Sequence, residues 1–334
     1  MSIWQGDTPH EDDMATAQGQ ARYREWQVSD VDEQAHSISA WQQDYLQLSE
    51  GAFRGRLDEV RHDHLQIFHE YTSHATWQQC QPWPGAIWFG LSSSPGSAGP
   101  SFNGHGAIAH HLLICPANHD FTLRTPDCYG IFGLVLDQAW LAEFAARRFG
   151  AALPAGCLRP GVLPLTESAY WQLSHALRQL LLSLRQDPWR ADLLDTVAEG
   201  LLQTLLTLLR PARQRPDVPP RGRRHAPLVA QARALIVDPL RPAVTVDALA
   251  ARLFLTRRTL QNCIGEILGV SPLTFIHAVR LQALRRDLRT PALSALDIQD
   301  LAARHGFWHL SHLGQAYKKM FGETLSASRR GRPV

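Results

Sequence analysis

Histidines and one glutamate in the first third of the chain have the clearest capacity for chemistry. His62 and His64 are two positions apart, so they would share one face of a β-strand, and Glu70 follows at the same parity. Two imidazoles and a carboxylate in this arrangement are typical of metal-binding barrels. The spacing to Glu70 is longer than such a site requires, and no matching second motif follows it. We therefore predict neither a bound metal nor a cofactor.

Catalytic signatures are missing from the sequence. The chain has no GxSxG, P-loop, GxGxxG or metalloprotease motif, so we predict that it is not an enzyme. It has five cysteines and no CxxC pair, which predicts reduced and mostly buried thiols in a cytoplasmic protein. Cys263 follows the apolar Leu260 by three residues and adjoins Ile264, so we predict a buried structural thiol there rather than a redox sensor.

Another kind of site would bind a small-molecule effector. Phe68, Trp88 and His110 are candidates to line such a pocket, in a region rich in aromatic residues and histidine. The same aromatic residues, together with Trp77 and Trp83, would equally well form the core of a small β-domain. Both alternatives stay open, and the effector is unknown.

Charge is divided unevenly along the chain. The formal net charge is +2, from 33 lysines and arginines against 31 aspartates and glutamates. Residues 225–334 contain fifteen basic and seven acidic residues, a net charge of +8, so the remainder carries −6. A basic segment joined to an acidic one predicts that the basic segment binds a polyanion and that the other has a different role.

The elements that must position these residues change in type along the chain. Between about Leu46 and Leu136, short apolar runs alternate with turn clusters, which predicts a small β-sandwich or barrel. The pattern becomes helical over Gln138–Phe149, and Gly150 would end that helix. The β-rich part is therefore predicted to end near residue 150.

Two long amphipathic helices follow, one over Thr166–Arg185 and one from Asp187 to about Arg210. Their leucines recur at helical spacing, so each helix has an apolar stripe. The stripes would pack either on the β-domain or against a second copy of the chain. We predict a dimerisation hairpin, and the first alternative stays open. The stretch 211–224, rich in proline and arginine, has the composition of a linker.

The basic segment contains a duplicated unit. Leu-Ala-Ala-Arg occurs at 249–252 and again at 301–304. Each copy continues with a short turn and a helix anchored by Leu260 or Leu313, and each ends at a glycine. This pattern predicts two helix-turn-helix units, in which the first helix braces the second helix and the second enters the major groove.

Two details of the duplicated unit give further expectations. The alanines of both Leu-Ala-Ala-Arg segments are predicted to be buried in the bracing helices. Gly306 stands in the turn of the second unit, where a left-handed conformation is often needed. Phe254 stands at that position in the first unit, which predicts a different turn there.

A predicted helix joins the two units, because Ser271-Pro272 is a helix start and Thr290-Pro291 is a stop. About 17 residues at 1.5 Å each give a rod of roughly 25 Å. Such a rod can hold two reading helices about one turn of DNA apart, roughly 34 Å between groove centres.

Residues 228–326 resemble the DNA-binding domain of the AraC/XylS family of bacterial transcription regulators. The resemblance rests on LAARLFLTRRTLQ, on GVSP leading to Arg280-Leu281, and on GFWHLSHLGQAYKKMFG. The stretches LSEGAFRGRL, QIFHEYT and PGAIWFG are similar to the sensor domain of the branch that includes regulators of ethanolamine-utilisation operons. That similarity implies a small metabolite as effector, with ethanolamine together with a cobalamin as one candidate.

Three positions depart from the family pattern. Leu284 stands where alanine is usual, and Asn262 stands where arginine is frequent. Gly322-Glu323-Thr324-Leu325 replaces a second GxSP motif, which predicts a different end to the last helix. Asn262 leaves the base preference of the first unit open.

The resemblance also implies which residues contact DNA. The base-contacting residues would be Arg257, Arg258, Gln261 and Asn262 in the first unit, and Ser311, His312 and Gln315 in the second. The phosphate-contacting residues would be Thr256, Lys318 and Lys319. Arginine pairs bidentately with guanine, and glutamine or asparagine with adenine, whereas side chains near a helix end more often meet phosphates.

The predicted fold class is a multidomain α+β protein with five parts. A disordered or loosely ordered N-terminus (1–30) precedes a β-rich, cupin-like sensor domain (31–150). The helical dimerisation hairpin (151–210) and the linker (211–224) connect it to an all-α DNA-binding domain with two helix-turn-helix units (225–334).

The predicted function is a cytoplasmic, homodimeric transcription regulator that binds promoter DNA, contacts RNA polymerase and responds to an effector. Two alternatives stay open: a metal-dependent cupin-type enzyme fused to a DNA-binding domain, and a regulator without an effector whose N-terminal domain only dimerises. No stretch has the roughly 20 apolar residues of a membrane span.

Overall fold

The structure is a computed structural model. It describes residues 22–93, 99–106, 110–186, 191–209, 220–238, 244–293 and 295–331, without the side chains of residues 22, 191–198 and 220–224. The first half of the described chain is β-rich and the C-terminal part is helical. This layout confirms the predicted fold class.

Eleven strands lie in the described part of the first 164 residues. They are β1 (Arg22–Val28), β2 (Gln42–Gln47), β3 (Gly55–His62), β4 (Leu65–Thr72), β5 (Thr76–Gln81), β6 (Ala86–Ser92), β7 (Ser101–Phe102), β8 (His111–Cys115), β9 (Phe121–Thr125), β10 (Tyr129–Asp137) and β11 (Gly161–Pro164). Short apolar runs separated by turn residues explain why this region forms strands.

The strands form two sheets packed face to face. The larger sheet has the order β1-β3-β4-β10-β6-β8-β11 and the smaller one β2-β5-β9-β7, with antiparallel pairing throughout. Between them lies an apolar core in which Trp88 stacks on Phe121 with ring centroids 4.2 Å apart. Side chains alternate across each strand, so each sheet also presents a second face.

The prediction of a disordered or loosely ordered segment at 1–30 is wrong for its last part. Strand β1 pairs with β3 along its whole length, from Arg22 opposite Arg61 to Val28 opposite Gly55. Three charged residues, Arg22, Arg24 and Glu25, make this strand polar in the sequence, and an edge strand tolerates such residues. The rest of the predicted segment, residues 1–21, lies outside the described residues.

Helices cover the outer face of the larger sheet. They are α2 (Gln138–Phe149), α3 (Glu167–Gln186) and α4 (Ala191–Leu209), while the short α1 (Val31–Ala35) lies between β1 and β2. The leucine stripe of α3 and the described leucines of α4 are buried in one core with the larger sheet. The structure thus favours packing on the β-domain over dimerisation for these stripes, and dimerisation stays a prediction.

Seven α-helices lie in the described part of the C-terminal domain. They are α5 (Pro220–Val237), α6 (Val246–Arg252), α7 (Arg257–Leu268), α8 (Pro272–Arg289), α9 (Ile298–Arg304), α10 (Leu310–Phe321) and α11 (Leu325–Arg330). Helix α5 begins inside the stretch 211–224, so the linker prediction is wrong for 220–224. Residues 211–219 lie outside the described part. The sequence does not predict this first helical turn, because a run of arginines without apolar periodicity does not indicate a helix.

The duplicated unit appears as α6 with α7 and as α9 with α10. Each reading helix, α7 or α10, ends at a glycine in the left-handed region, Gly269 or Gly322. Each glycine is followed two residues later by an N-cap side chain, Ser271 for α8 and Thr324 for α11. Thr324 therefore takes the role of the serine in the family's second GxSP motif, and α11 begins without a proline.

Two expectations about the bracing helices need correction. Ala250 and Ala302 are buried, but Ala251 is exposed and Ala303 is only half-buried, because a helix buries one face. The turns are also alike rather than different, since Phe254 has φ +56° and Gly306 has φ +78°. Phe254 is tolerated there because its side chain projects into solvent, with 96% of it exposed.

Candidate nucleic-acid interface

The first reading helix, α7, has one buried and one exposed face. Leu260, Cys263 and Ile264 lie in the core of the C-terminal domain, as the helical spacing predicts. The four residues predicted to contact bases are exposed on the other side of the helix. These are Arg257, Arg258, Gln261 and Asn262.

Polar groups at the start of α7 are arranged for contact with an anion. Thr256 caps the helix, because its hydroxyl accepts a hydrogen bond from the Thr259 backbone N–H at 3.1 Å. Arg257 lies 3.4 Å from the Asp247 carboxylate, and both side chains are well exposed. Arg258 makes no ion pair with any described residue, so its guanidinium is available to a base or a phosphate.

The second reading helix, α10, repeats this division. Leu313, Tyr317 and Met320 are buried. Ser311, His312 and Gln315 are exposed together on the opposite face, as predicted. His309 precedes the helix without capping it through its side chain, in contrast to Thr256 in the first unit.

The two lysines predicted to contact phosphates differ in their surroundings. Lys318 and Lys319 are both exposed in the last turn of α10. The Lys319 ammonium lies 2.9 Å from the Glu50 carboxylate, which belongs to the N-terminal domain. Lys318 has no ion pair among the described residues and remains the better placed of the two for a phosphate.

Large apolar side chains, for which the sequence predicts no role, are exposed in both turns. Phe254 precedes α7 and Trp308 precedes α10, with 96% and 73% of their surfaces exposed. An apolar group beside a reading helix can contact a thymine methyl group. The sequence does not single them out, because Leu253 and Leu255 flank Phe254 and Phe307 directly precedes Trp308.

The linker helix α8 is fixed to the second unit by a charge pair between the buried Arg285 and the half-buried Glu323. Arg285 donates two hydrogen bonds to one Glu323 oxygen, at 3.1 and 2.7 Å. Ser328 donates to the same oxygen at 2.7 Å and accepts from the Tyr317 hydroxyl at 2.7 Å. Glu323, at the variable position of this motif, therefore supplies a partner that orients α8 against α10 and α11.

Helix α8 also docks on the N-terminal domain, through some of the same side chains. Asp30 and Arg285 are almost fully buried and lie 2.7 Å apart, and Arg289 lies 2.9 Å from the same carboxylate oxygen. Gln282 donates to the Tyr45 carbonyl at 2.6 Å and accepts from the Gln47 backbone N–H at 3.2 Å. These groups join the helix between the two units directly to β2 and to the start of α1.

Backbone contacts extend this interface to the end of α10. The Met320 carbonyl accepts hydrogen bonds from the Gly51 backbone N–H and from the Gln47 side chain, both at 3.0 Å. Leu46, Leu48 and Trp77 of the N-terminal domain lie in the same apolar core as the C-terminal helices. The smaller sheet is thus buried on both faces, by the larger sheet and by the DNA-binding domain.

Charge complementarity strengthens the interface. The Asp44 carboxylate lies 2.7 Å from Arg233 and 2.9 Å from Arg286. Burial alone would raise the pKa of Asp44, but the two guanidiniums outweigh it and hold that pKa below its usual value. Burial would also lower the pKa of Arg286, and Asp32 together with Asp44 raises it instead. Asp44 and Arg286 are therefore both charged at neutral pH.

The residues predicted for a metal pattern are not brought together. His62 ends β3, whereas His64 lies beyond the strand and stacks on Trp140 with centroids 5.8 Å apart. The two histidines therefore do not share a strand face, and that expectation is wrong. Glu70 points into the sandwich, where Gln34 and Tyr45 donate to it at 2.9 Å each. In the described residues no three metal-ligating side chains cluster.

Burial of Glu70 changes its titration. Removal from water raises the pKa of this carboxyl to about 7, although the hydrogen bonds from Gln34 and Tyr45 lower it. The three side chains form a polar cluster within the apolar core between the sheets.

The predicted effector-lining residues occupy two different places. Phe68 and Trp88 are each 2% exposed and belong to the packed core between the sheets. His110 lies outside that core, with its ring 4.8 Å from the Tyr170 ring of α3. The structure does not gather these three side chains at one surface.

Known proteins match mainly the helical part of the chain. Residues 249–331 match a family described as a helix-turn-helix domain. The HTH-type transcriptional activator RhaS of Escherichia coli O139:H28 (strain E24377A / ETEC) is 28% identical over 169 residues, which is 49% of this chain and 58% of that protein. RhaS of Escherichia coli (strain K12 / DH10B) is 27% identical over the same shares. The match spans less than two thirds of these relatives.

Solved structures give similar but more distant matches. The C-terminal domain of AraT, a response regulator from Geobacillus stearothermophilus, is 25% identical, with a TM-score of 0.30 over 33% of this chain and 90% of that one. The AraC-like transcriptional activator CuxR is 13% identical, with a TM-score of 0.41 over 77% and 94%.

No single helix among the described residues is both long enough and apolar enough to cross a membrane. Helices α7 and α8 meet the two criteria only when they are taken together as a bent pair.

The family match begins at the first Leu-Ala-Ala-Arg segment and ends in α11, so it contains both reading helices and the linker helix between them. Relatives and geometry agree on this part of the molecule. Residues 249–331 therefore form an AraC-type helix-turn-helix domain, similar to the one in the RhaS activators.

Proposed function

We propose that this chain regulates transcription by binding promoter DNA through α7 and α10. The observation that carries the proposal is the pair of matched helices that bury equivalent apolar anchors and expose polar faces. On these faces lie Arg258, Gln261 and Gln315, whose side chains can form bidentate hydrogen bonds with base edges. Arg257, Asn262, Ser311 and His312 complete the proposed base-contacting set, with Thr256, Lys318 and Lys319 on phosphates.

The linker helix supports simultaneous binding by both units. Its 18 residues correspond to about 27 Å at 1.5 Å per residue. Successive major grooves on one side of a duplex are roughly 34 Å apart. Arg285 and Glu323 hold this helix in a fixed orientation to the second unit, so two rigidly linked readers meet one stretch of promoter.

The N-terminal domain is proposed to sense a small molecule and to transmit the signal through the interface with α8. Support comes from the buried contacts of Asp30 and Gln282, which connect the sandwich to the helix between the readers. We further propose a cytoplasmic homodimer that contacts RNA polymerase and has no enzymatic activity. The relatives are named as transcriptional activators, so activation is the proposed output.

The test is to map the promoters that the full-length chain occupies in cells and to measure binding to them in vitro. We expect a gel shift that a scrambled promoter fragment competes poorly, because base contacts discriminate between the two DNAs. Equal competition by the scrambled fragment, at physiological salt, would contradict sequence-specific regulation.

A further inference from the structure

A cavity lies on the side of the larger sheet that faces away from the DNA-binding domain. Strands β1, β3, β4 and β10 form its floor and α3 forms its wall. Its volume is about 520 Å³, within the range of pockets that hold small organic molecules. It is separate from the core between the sheets, where Phe68 and Trp88 lie.

The charges around this cavity are not balanced. Arg56, Arg178 and Arg185 line it, against the single carboxylate of Asp58. Arg56 is paired with Asp58 at 3.0 Å and with Glu25 at 3.4 Å. Arg185 is paired with the other oxygen of Glu25, at 2.9 Å. Two carboxylates thus offset two of the three guanidiniums.

Arg178 supplies the positive charge that remains. Within the described part of the chain it forms no ion pair with a carboxylate, and its guanidinium donates only to the Ser93 carbonyl, at 3.4 Å. The guanidinium lies 5.6 Å from the centroid of the Phe132 ring. A cation held over an aromatic surface at the wall of a cavity is well placed to receive an anion.

His69 adds a polar atom without a partner. Its ring packs on Phe132 with centroids 4.7 Å apart, and its buried Nε2 has no hydrogen-bond partner among the described residues. Burial lowers the pKa of His69 to about 4, with a further lowering by Arg178 and Arg56 that Asp58 opposes. The imidazole is therefore neutral at pH 7 and offers a hydrogen bond but no charge.

Apart from Tyr71 and Tyr23, whose hydroxyl donates to Asp58 at 2.7 Å, the remaining lining is apolar. Phe132 and Leu181 are buried under the cavity, and Leu182 borders it with 44% of its surface exposed. Half-exposed leucine beside a guanidinium suits a ligand with an apolar body and one anionic end.

We infer that this cavity binds a small organic carboxylate with an aromatic or aliphatic body. Arg178 takes the carboxylate, while the apolar body lies on Phe132 and Leu182. One unbalanced positive charge suits a monoanion better than a doubly charged phosphate ester. The same charge disfavours a cation such as ethanolamine. The site would locate the proposed sensor function on the outer face of the sheet, between the sandwich and α3.

Isothermal titration calorimetry on the full-length chain tests this site with phenylbutyrate as the probe. The neutral amide phenylbutanamide and ethanolamine serve as ligands that lack the negative charge. Arg178→Gln removes the proposed anion partner, and Leu182→Glu places a carboxylate at the mouth of the cavity. Arg147→Gln is the matched control, because Arg147 is exposed on α2 and pairs with Glu143. Circular dichroism checks that each variant is folded.

The expected result is saturable binding of phenylbutyrate to the wild type and to Arg147→Gln with the same Kd. Arg178→Gln and the amide ligand should each weaken binding about tenfold or more, since a charge-assisted hydrogen bond is lost. Leu182→Glu should weaken it at least as much. Failure of phenylbutyrate to bind, or equal binding by all folded variants, would overturn the site.

Ligand binding and DNA binding are measured separately, so the two proposals fail separately. A chain that binds phenylbutyrate through Arg178 but shifts no promoter fragment supports the site and contradicts the proposed function. A chain that shifts promoter DNA but binds no phenylbutyrate contradicts the site alone.

Discussion

Single residues determine what this chain can recognise, because the core leaves only certain side chains of α7 and α10 exposed. Leu260 and Leu313 occupy equivalent buried positions, yet Gln261 follows the first and Gly314 follows the second. The two readers therefore present different chemical groups from the same scaffold. We expect them to recognise different bases.

Gln261→Ala should weaken binding to specific promoter DNA by about 1–3 kcal/mol and leave non-specific binding nearly unchanged. An amide that pairs with a base edge contributes only where the correct base is present. Gel shifts on specific and scrambled fragments measure both quantities. Gln179→Ala, an exposed glutamine on α3, is the matched control and should bind as the wild type does. An equal loss on both DNAs would rule out base reading by Gln261.

Glu70 should make the stability of the chain depend on pH. Its pKa is about 7 in the folded protein against an ordinary value of 4.5, so the folded state retains a proton that the unfolded state releases. The free energy of unfolding should therefore fall by about 3 kcal/mol between pH 4.5 and 7. Urea denaturation at several pH values measures this slope.

Glu70→Gln should abolish that part of the pH dependence, because glutamine carries no proton to lose. Glu143→Gln is the control, since Glu143 is exposed on α2 and should leave the slope intact. If Glu70→Gln kept the wild-type slope, another group would have to be responsible.

At the scale of helices and strands, local sequence rules were sufficient to predict some elements but not others. The boundaries of α2, α7 and α8 follow from their caps, because Asp137, Thr256 and Ser271 each accept a hydrogen bond from the first helical turn. The polar edge strand β1 was not predictable in this way. Its position depends on pairing with β3, which is a long-range contact.

The turn of the first unit shows a second limit of prediction from sequence, namely that residue type alone does not determine a turn conformation. Phe254 suggested a turn unlike that of Gly306, since bulky residues rarely adopt positive φ. Equivalent hydrogen bonds fix both turns, from the Leu255 N–H to the Ala250 carbonyl and from the Phe307 N–H to the Ala302 carbonyl. The bracing helix therefore imposes the conformation, and the residue type only changes its strain.

Gly306→Ala should lower the free energy of unfolding by about 1–2 kcal/mol, because its φ of +78° is unfavourable for a residue with a Cβ atom. Gly314→Ala is the same substitution inside α10, where an added Cβ meets nothing within 4 Å. It should raise stability by about 0.5–1 kcal/mol. Urea denaturation that gave both variants the same sign would contradict the role of the turn.

At the scale of the whole molecule, the uneven charge serves two purposes. It predicted a polyanion partner for the basic segment. Five of its fifteen basic residues instead face carboxylates of the N-terminal domain: Arg233, Arg285, Arg286, Arg289 and Lys319. No local pattern distinguishes these residues from ones that meet DNA. Their partners, such as Asp30 and Asp44, are about 200 positions or more away in the sequence.

Asp30→Asn should uncouple the two domains. Asparagine can still cap α1, but it removes the charge that pairs with Arg285 and Arg289. Loss of one partner of a buried pair costs about 3–5 kcal/mol. Calorimetry should show one unfolding transition for the wild type and two for the variant.

Asp297→Asn provides the matched control for this experiment. Asp297 caps α9 in the same way and has no ion pair with any described residue of the N-terminal domain. It should unfold in one transition, as the wild type does. Identical melting curves for the two variants would show that Asp30 does not hold the domains together.

The central claim is that one chain reads DNA with two helices held about one helical turn apart. Methylation-protection footprinting of the full-length chain on a mapped promoter tests it most directly, with Gln261→Ala and Gln315→Ala as probes. We expect each bound chain to protect two major-groove segments about 10 base pairs apart, with each substitution weakening a different one. A single protected segment, or loss of the same segment in both variants, would contradict the account.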